Sequence, residues 1–362
     1  MKACRLFRRL LLLAIVIPFL AGSRVPAASR GIQFIGFTNL SEFEKSGHSG
    51  GMTFTSREIR TSCTWDELIA SWNAVVPSNA WLRIEARGFH GEKPTRFYNM
   101  GLWSGNSNER RSARNEKDSD GEVSTDTLAL KQTSDRVQLR LIVGGERGSA
   151  VQIKFAGLCL TDTKSTNAPL EPNRAAWGKT LEVPERSQMS YPNGGVLCSP
   201  TTVSMIMTWW SKELKRPELD QDVPDIVNEV YDANWHGTGN WTFNMAFAGA
   251  YDGMRAYVTR MSDVSELEDW IAAGLPVGLS VCYDRLRGKG PGPNGHLVVC
   301  VGFTPDGDVI INDPGTSRNV RKIFLRKNLI HAWANSKNAV YLIYPENSKV
   351  PEDRFGDWFG VD

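Results

Sequence analysis

A two-residue rhythm constrains this chain more than any other feature. In Trp81-Leu82-Arg83-Ile84-Glu85-Ala86-Arg87, the apolar Leu82, Ile84 and Ala86 alternate with charged residues. Side chains of a strand point alternately to opposite faces, so such a run buries one face and wets the other. Val137, Leu139, Leu141 and Val143 repeat the pattern, and Val151, Ile153 and Phe155 do so again. Several such runs with turn-rich breaks predict an all-β sandwich or jelly roll over residues 31–162. Within it, Ser104 to Ser124 is rich in Arg, Asn, Asp, Glu, Ser and Gly and reads as a long solvated loop. Trp72, Trp81, Trp103 and Tyr98 have two readings: core filling, or a surface on which a sugar or peptide stacks.

The rhythm stops after Thr161. Residues 163–182 hold Thr, Ser, Asn and two Pro without periodicity, the composition of an interdomain linker. Residues 183–346 then read as a mixed α+β domain, and 347–362 as a C-terminal tail. Val203, Ile206, Met207 and Trp210 fall at helical spacing, which predicts a helix from Ser199 to about Leu214, with Pro200 in its first turn. Leu267, Trp270 and Ile271 mark a second helix from about Ser262 to Ala273, stopped by Gly274 and Pro276. Short apolar strands follow at Val277 to Cys282, Leu297 to Phe303, Val309 to Ile311 and Val340 to Ile343. The architecture expected is therefore multidomain: all-β first, α+β second.

Residues 1–29 stand apart. Lys2, Arg5, Arg8 and Arg9 precede an apolar run from Leu10 to Leu20, and small residues follow. That order predicts a signal peptide and a secreted or envelope location. The run is short for a membrane span, and no other stretch is apolar for long enough. With Cys4 assigned to the signal, Cys63, Cys159, Cys198, Cys282 and Cys300 remain. In an oxidising compartment an odd number suggests one free thiol, with four left to pair or stay reduced. No cysteine or histidine spacing suits a metal, and no cofactor is expected. A formal net charge of +2 argues against a nucleic-acid partner.

A thiol attacks when ionised, and a helix N-terminus with a neighbouring imidazole favours the thiolate. Cys198 directly precedes the helix expected from Ser199. His296 opens the strand Gly295-His296-Leu297-Val298-Val299, where a side chain sits at the rim of a sheet. Asp313, in Asn312-Asp313-Pro314-Gly315, ends the next strand and returns toward that rim, so it could orient the imidazole. Asn312 is the weaker candidate for that role. Gln188 carries an amide able to donate to an oxyanion. In Trp235-His236-Gly237-Thr238-Gly239-Asn240-Trp241, Trp241 could wall a substrate side chain and Asn240 bind its backbone. His236 is an alternative base, without an accompanying carboxylate turn.

In its order Gln188, Cys198, His296, Asp313 the chain resembles the papain-like cysteine peptidases. It is more closely similar to the bacteriocin-processing (double-glycine leader) peptidases and their secreted bacterial relatives, over about residues 177 to 345. The resemblance implies a papain-like fold, Cys198 as nucleophile, His296 as base, Asp313 as orienter and Gln188 as oxyanion donor. It implies a peptide or protein substrate cleaved through a thioester acyl-enzyme. Cys198-Ser199-Pro200 departs from the Cys-Gly of many relatives, and no transporter segments follow. Alternatives on the same scaffold are a peptidoglycan amide hydrolase, an acyl transferase, or a binding protein without turnover. A cell-surface or carbohydrate ligand stays open for the first region.

Overall fold

The computed structural model describes residues 30–361 apart from 49, 147–149, 291, 293, 355 and 357. The segment read as a signal peptide lies outside the described residues. The chain forms two domains: a curled antiparallel sheet, then a second sheet-rich region that carries the helices. All eleven strands of the first sheet are joined by hydrogen bonds into one sheet. Its spine is Ile59–Val75, Ala80–His90, Thr127–Gly145 and Gln152–Thr161. The alternating runs pair with one another: Leu82 faces Val143, Ile84 faces Leu141 and Ala86 faces Leu139. Directly opposed side chains share a face, so two half-apolar strands make one apolar surface. Register shifts near Arg60, Trp65, Ile84 and Ile153 let the long strands bend, as bulges do.

The second sheet has six antiparallel strands in the order Met254–Arg260, Ala339–Pro345, Val277–Cys282, Gly295–Phe303, Val309–Asn312, Arg321–Phe324. The helix Cys198–Leu214 packs on Gly295–Phe303. It is buried all round from Ser199 to Ser211, as a helix inside a large core must be. The helix expected from Ser262 runs Val264–Ala272. Among the described residues no helix is long and apolar enough to cross a membrane. Residues read as linker lie along this sheet: Leu181 N–H donates to Val301 O at 2.7 Å, and Trp177 bridges to Phe303. The expected tail is not a plain tail either. Trp358–Val361 pairs in parallel with Ile32–Phe37, and the Trp358 ring lies 4.8 Å from Phe34, so the chain end returns to the first sheet.

The two domains share buried contacts. Asn73, fully buried, donates to Ala256 O at 2.7 Å and accepts from Ala256 N–H at 3.1 Å. Trp72 and Trp103 meet Phe243 of the second domain edge-on, at 6.0 and 5.4 Å. Trp72 and Tyr98 have no exposed surface and Trp103 only 3%. These three rings therefore pack in the core and offer no face to a sugar, which leaves a carbohydrate ligand unsupported. Ser104 to Ser124 is not simply solvated. Arg110 is buried, stacks 3.8 Å over Trp103 and ion-pairs with Glu229, while Ser112 N–H donates to Asp232 at 3.0 Å. Charge here makes the loop a dock, because each buried group finds its partner across the junction.

Replacing Asn73 by Leu strips the partners from both polar groups of Ala256. Two orphaned backbone groups should cost about 3 kcal/mol. Chemical denaturation should show that loss as a lowered midpoint; a change below about 0.5 kcal/mol, the size of an ordinary surface substitution, would mean the junction is wetter than its burial suggests.

Candidate active site

Cys198 begins its helix, as its place before Ser199 and Pro200 requires. Leu197 at the N-cap gives no side-chain cap, and the Ser199 N–H of the first turn reaches the Cys198 sulfur. The thiol is half-buried. Burial alone would push it up, but its hydrogen bond with His296, the charge of that ring, and the N–H groups of Leu297 and Ser199 outweigh burial and hold it below the ordinary thiol range.

His296 is 5% exposed and lies at the start of Gly295–Phe303. Its Nε2 is 2.8 Å from Asp313 Oδ1, which leaves Nδ1 for the sulfur. Burial pulls the imidazole down, yet Asp313 and Cys198 together raise it to about 9. Asp313, wholly buried, follows Val309–Asn312. Burial would raise its carboxyl; the bond and charge of His296, then Tyr283 and the Gly315 N–H, draw it below its usual value. Space at Gly315 is tight: a Cβ there would stand 3.0 Å from the His296 ring. Asn312 is occupied elsewhere, donating to Val183 O at 3.0 Å and accepting from Arg321. Carboxyl, imidazole and thiol thus stand in series, with the imidazole displaced upward and the carboxyl and thiol displaced downward.

Sequence reasoning missed Tyr283. Its hydroxyl donates to Asp313 Oδ2 at 2.9 Å, and its ring lies 4.3 Å from that of His296. Burial, and then the charge of Asp313, raise the phenol well above its ordinary value, so it stays a donor. Lys322 Nζ stands 3.7 Å from the same oxygen. The signal was positional: Cys282 pairs with Gly295, which brings the next residue, Tyr283, beside His296.

Gln188 is buried in the turn before the helix, and its N–H donates to Pro314 O at 3.0 Å. Its side-chain Nε2 donates to Gly194 O at 2.6 Å, leaving one amide hydrogen. Asn240, expected to bind a substrate backbone, is engaged within its own loop. It caps the helix Trp241–Ala250 by accepting from Phe243 N–H and donates to Asp232, so both ends of its amide are spent. Trp241 lines a recess with Asp126 and Trp235 that includes none of Cys198, His296, Asp313 or Gln188. His236 is exposed in the loop before Asn240, with left-handed backbone. Cys159, Cys198, Cys282 and Cys300 are free thiols. Of these Cys300 is pushed up to about 12 by burial, which makes it inert.

Residues 43–160 match the family model described as the peptidase C39 N-terminal domain, and residues 180–341 match that of a peptidase C39 like family. None of the curated proteins matches the chain. Among solved structures there is a likeness to a family two carbohydrate esterase from Cellvibrio japonicus, at 18% identity over 41% of this chain and 36% of that one. Its TM-score of 0.16 carries no argument.

Proposed function

We propose that this chain, for which the two matched regions support a C39 cysteine peptidase family, hydrolyses peptide bonds at Cys198. The observation that carries the reading is the contact series Cys198–His296–Asp313, with opposite pKa displacements at thiol and imidazole. We take the second domain as papain-like: a buried helix presents the nucleophile and an antiparallel sheet presents its base. The Cys198 thiolate attacks the scissile carbonyl. The oxyanion is held by the Cys198 N–H and the remaining amide hydrogen of Gln188. His296 gives its proton to the leaving amine, and a thioester remains. Water, deprotonated by His296, releases the acid and restores the thiol. Asp313 keeps the ring turned so that Nδ1 faces sulfur. The basic, apolar and small-residue order of residues 1–29 supports an exported enzyme. The match to a peptidase C39 like family supports a peptide as the substrate.

The test is incubation of the full chain with a peptide library, with new termini read by mass spectrometry. Cleavage should stop when one thiol, mapped to Cys198, is alkylated. Turnover that survives alkylation overturns the assignment, and products of wall amide cleavage or amine transfer would redirect it to another acyl chemistry.

The pH profile follows from the signs. The active ion pair needs Cys198 ionised and His296 protonated. Activity should rise at a pH below the ordinary thiol value and fall as pH climbs through about 9, where the imidazolium is lost. A kcat/KM profile with a single ascending limb near the ordinary thiol value would contradict the pair. Tyr283→Phe removes one donor to Asp313 without touching substrate. We expect kcat to fall about tenfold, the scale of one charge-assisted hydrogen bond, with KM nearly unchanged. The Asp313 carboxyl should itself titrate higher in this variant, since a bond that lowers it is gone.

A further inference from the structure

Cys198 and His296 stand at one end of the second sheet, and a recess of about 420 Å³ opens at that same end, between the domains. The strand register connects the two. Leu297, whose N–H reaches the Cys198 sulfur, pairs with Ser280. Leu279, next to it, pairs with Val340, and Ala339 pairs with Arg260. Arg260 lines the recess, and so does Ser336, which donates to the Ser280 carbonyl at 2.6 Å. Three strand spacings of about 4.8 Å put Arg260 about 14 Å from Leu297, or about four residues of extended peptide.

Resting on the peptidase reading, we propose that this recess is a distal subsite of the same cleft, one that takes a lysine or arginine side chain of the substrate against Trp235 and Trp241 with its charge toward Asp126. The aromatic wall is built for exposure. Trp235 is 50% exposed, and its ring lies over Gly237 and Gly239, where a Cβ would come within 2.8 Å of it. Trp241 lines the same recess. An exposed indole face attracts a cation.

The carboxylates of the recess are not equivalent. Glu67 is bonded by Arg260 and Lys337, and Glu122 by Lys117. Asp126 is hydrogen-bonded by neutral donors, Trp241 N–H at 2.9 Å and the Thr127 hydroxyl at 3.2 Å, and the charge of Arg260 reaches it only through space. It is nine-tenths buried, and burial holds its carboxyl up to about 6. A buried carboxylate without a bonded cation gains most from one that a ligand brings. Asp126 belongs to the first domain, which would thereby supply part of the specificity of the second.

The experiment uses the full chain and peptides carrying lysine, or its uncharged isostere norleucine, at each of the second to fourth positions from the scissile bond. At one position the lysine peptide should be cleaved about tenfold faster in kcat/KM, from one desolvated cation–π contact plus one charge-assisted bond. That ratio should fall to near unity in Asp126→Asn and shrink in Trp235→Ala, which removes an exposed ring without risk to the fold. The same peptides are titrated against Cys198→Ala protein by tryptophan fluorescence, where the same ratio should appear in Kd. A ratio near unity in the wild-type chain, or one unchanged by Asp126→Asn, overturns the subsite. A preference seen in binding while no peptide is cleaved would sink the peptidase reading and leave the subsite standing.

Discussion

Replacing Cys198 by Ala should lower peptide turnover by about four orders of magnitude or more, the loss seen when a nucleophile is deleted from a unit that acts together. The expectation follows from position. Cys198 keeps partial exposure and, among the described residues, is the one free thiol held against an imidazole and two backbone N–H groups. Cys159 and Cys300 are wholly buried, and burial raises both. Cys282, also buried, has its sulfur on the Gly292 carbonyl at 3.3 Å. Burial pushes the Cys282 thiol up, but the backbone groups of Arg285, Gly292 and Asp284 outweigh it and draw it below the ordinary thiol range; its sulfur is bonded to a carbonyl rather than to an imidazole. The fold should survive, because Ala keeps the Cβ, continues the helix and leaves a void smaller than a methyl group to be filled from solvent. Unchanged circular dichroism with lost turnover, and lost labelling by a thiol-directed peptide probe, is the expected pair of results. Persistent labelling at the normal rate would remove Cys198 from its role.

Asp313→Asn should be the second large effect, with kcat/KM down by about 100-fold near neutral pH, because both tautomer and charge are disturbed. Asn matches the carboxylate in shape and can still accept from Tyr283. It brings no charge, so the imidazole loses the neighbour that lifts it toward 9, and the thiol loses the imidazolium that lowers it. Stability should change with a definite sign. His296 has a raised folded value, so its contribution is full below its unfolded value of about 6.5 and is lost as pH rises through about 9. Asp313 has a lowered folded value, so its contribution is present above about 3.9 and is lost on acidification. The difference in melting temperature between wild type and variant should therefore be greatest between about pH 4 and 6.5. A difference that grows toward pH 10 would refute the charge pairing.

The parts of the fold that were legible are those written in local patterns. Leu82, Ile84 and Ala86 announce their strand because burial on one face selects alternate residues, and their partners Leu139, Leu141 and Val143 carry the same mark. The helix from Cys198 is readable from its apolar spacing and from Pro200, although its burial on every side is not. Cys198, His296 and Asp313 were legible as types at element ends: a thiol before a helix, an imidazole opening a strand, a carboxylate in a Pro-Gly turn. Tyr283 was not, because its value lies in a strand pairing that joins Cys282 to Gly295. Asn240 was ambiguous for a complementary reason. A polar residue beside glycines suits a binding loop as well as a helix cap, and only the Phe243 N–H decides between them.

By itself, then, the sequence determined which segments are strand and which helix, and which side chains have the chemistry to attack, take a proton or hold a charge, since both depend on residue type and near spacing. The tertiary structure decided what meets what. It turned a charged loop into a dock for Arg110 and Asp232, returned the chain end to the first sheet as a parallel strand, and put Asp126 of one domain beside Trp241 of the other. Those contacts join residues far apart along the chain. Their energy comes from burying paired polar groups and apolar faces together, a quantity that exists only once the domains have closed on each other.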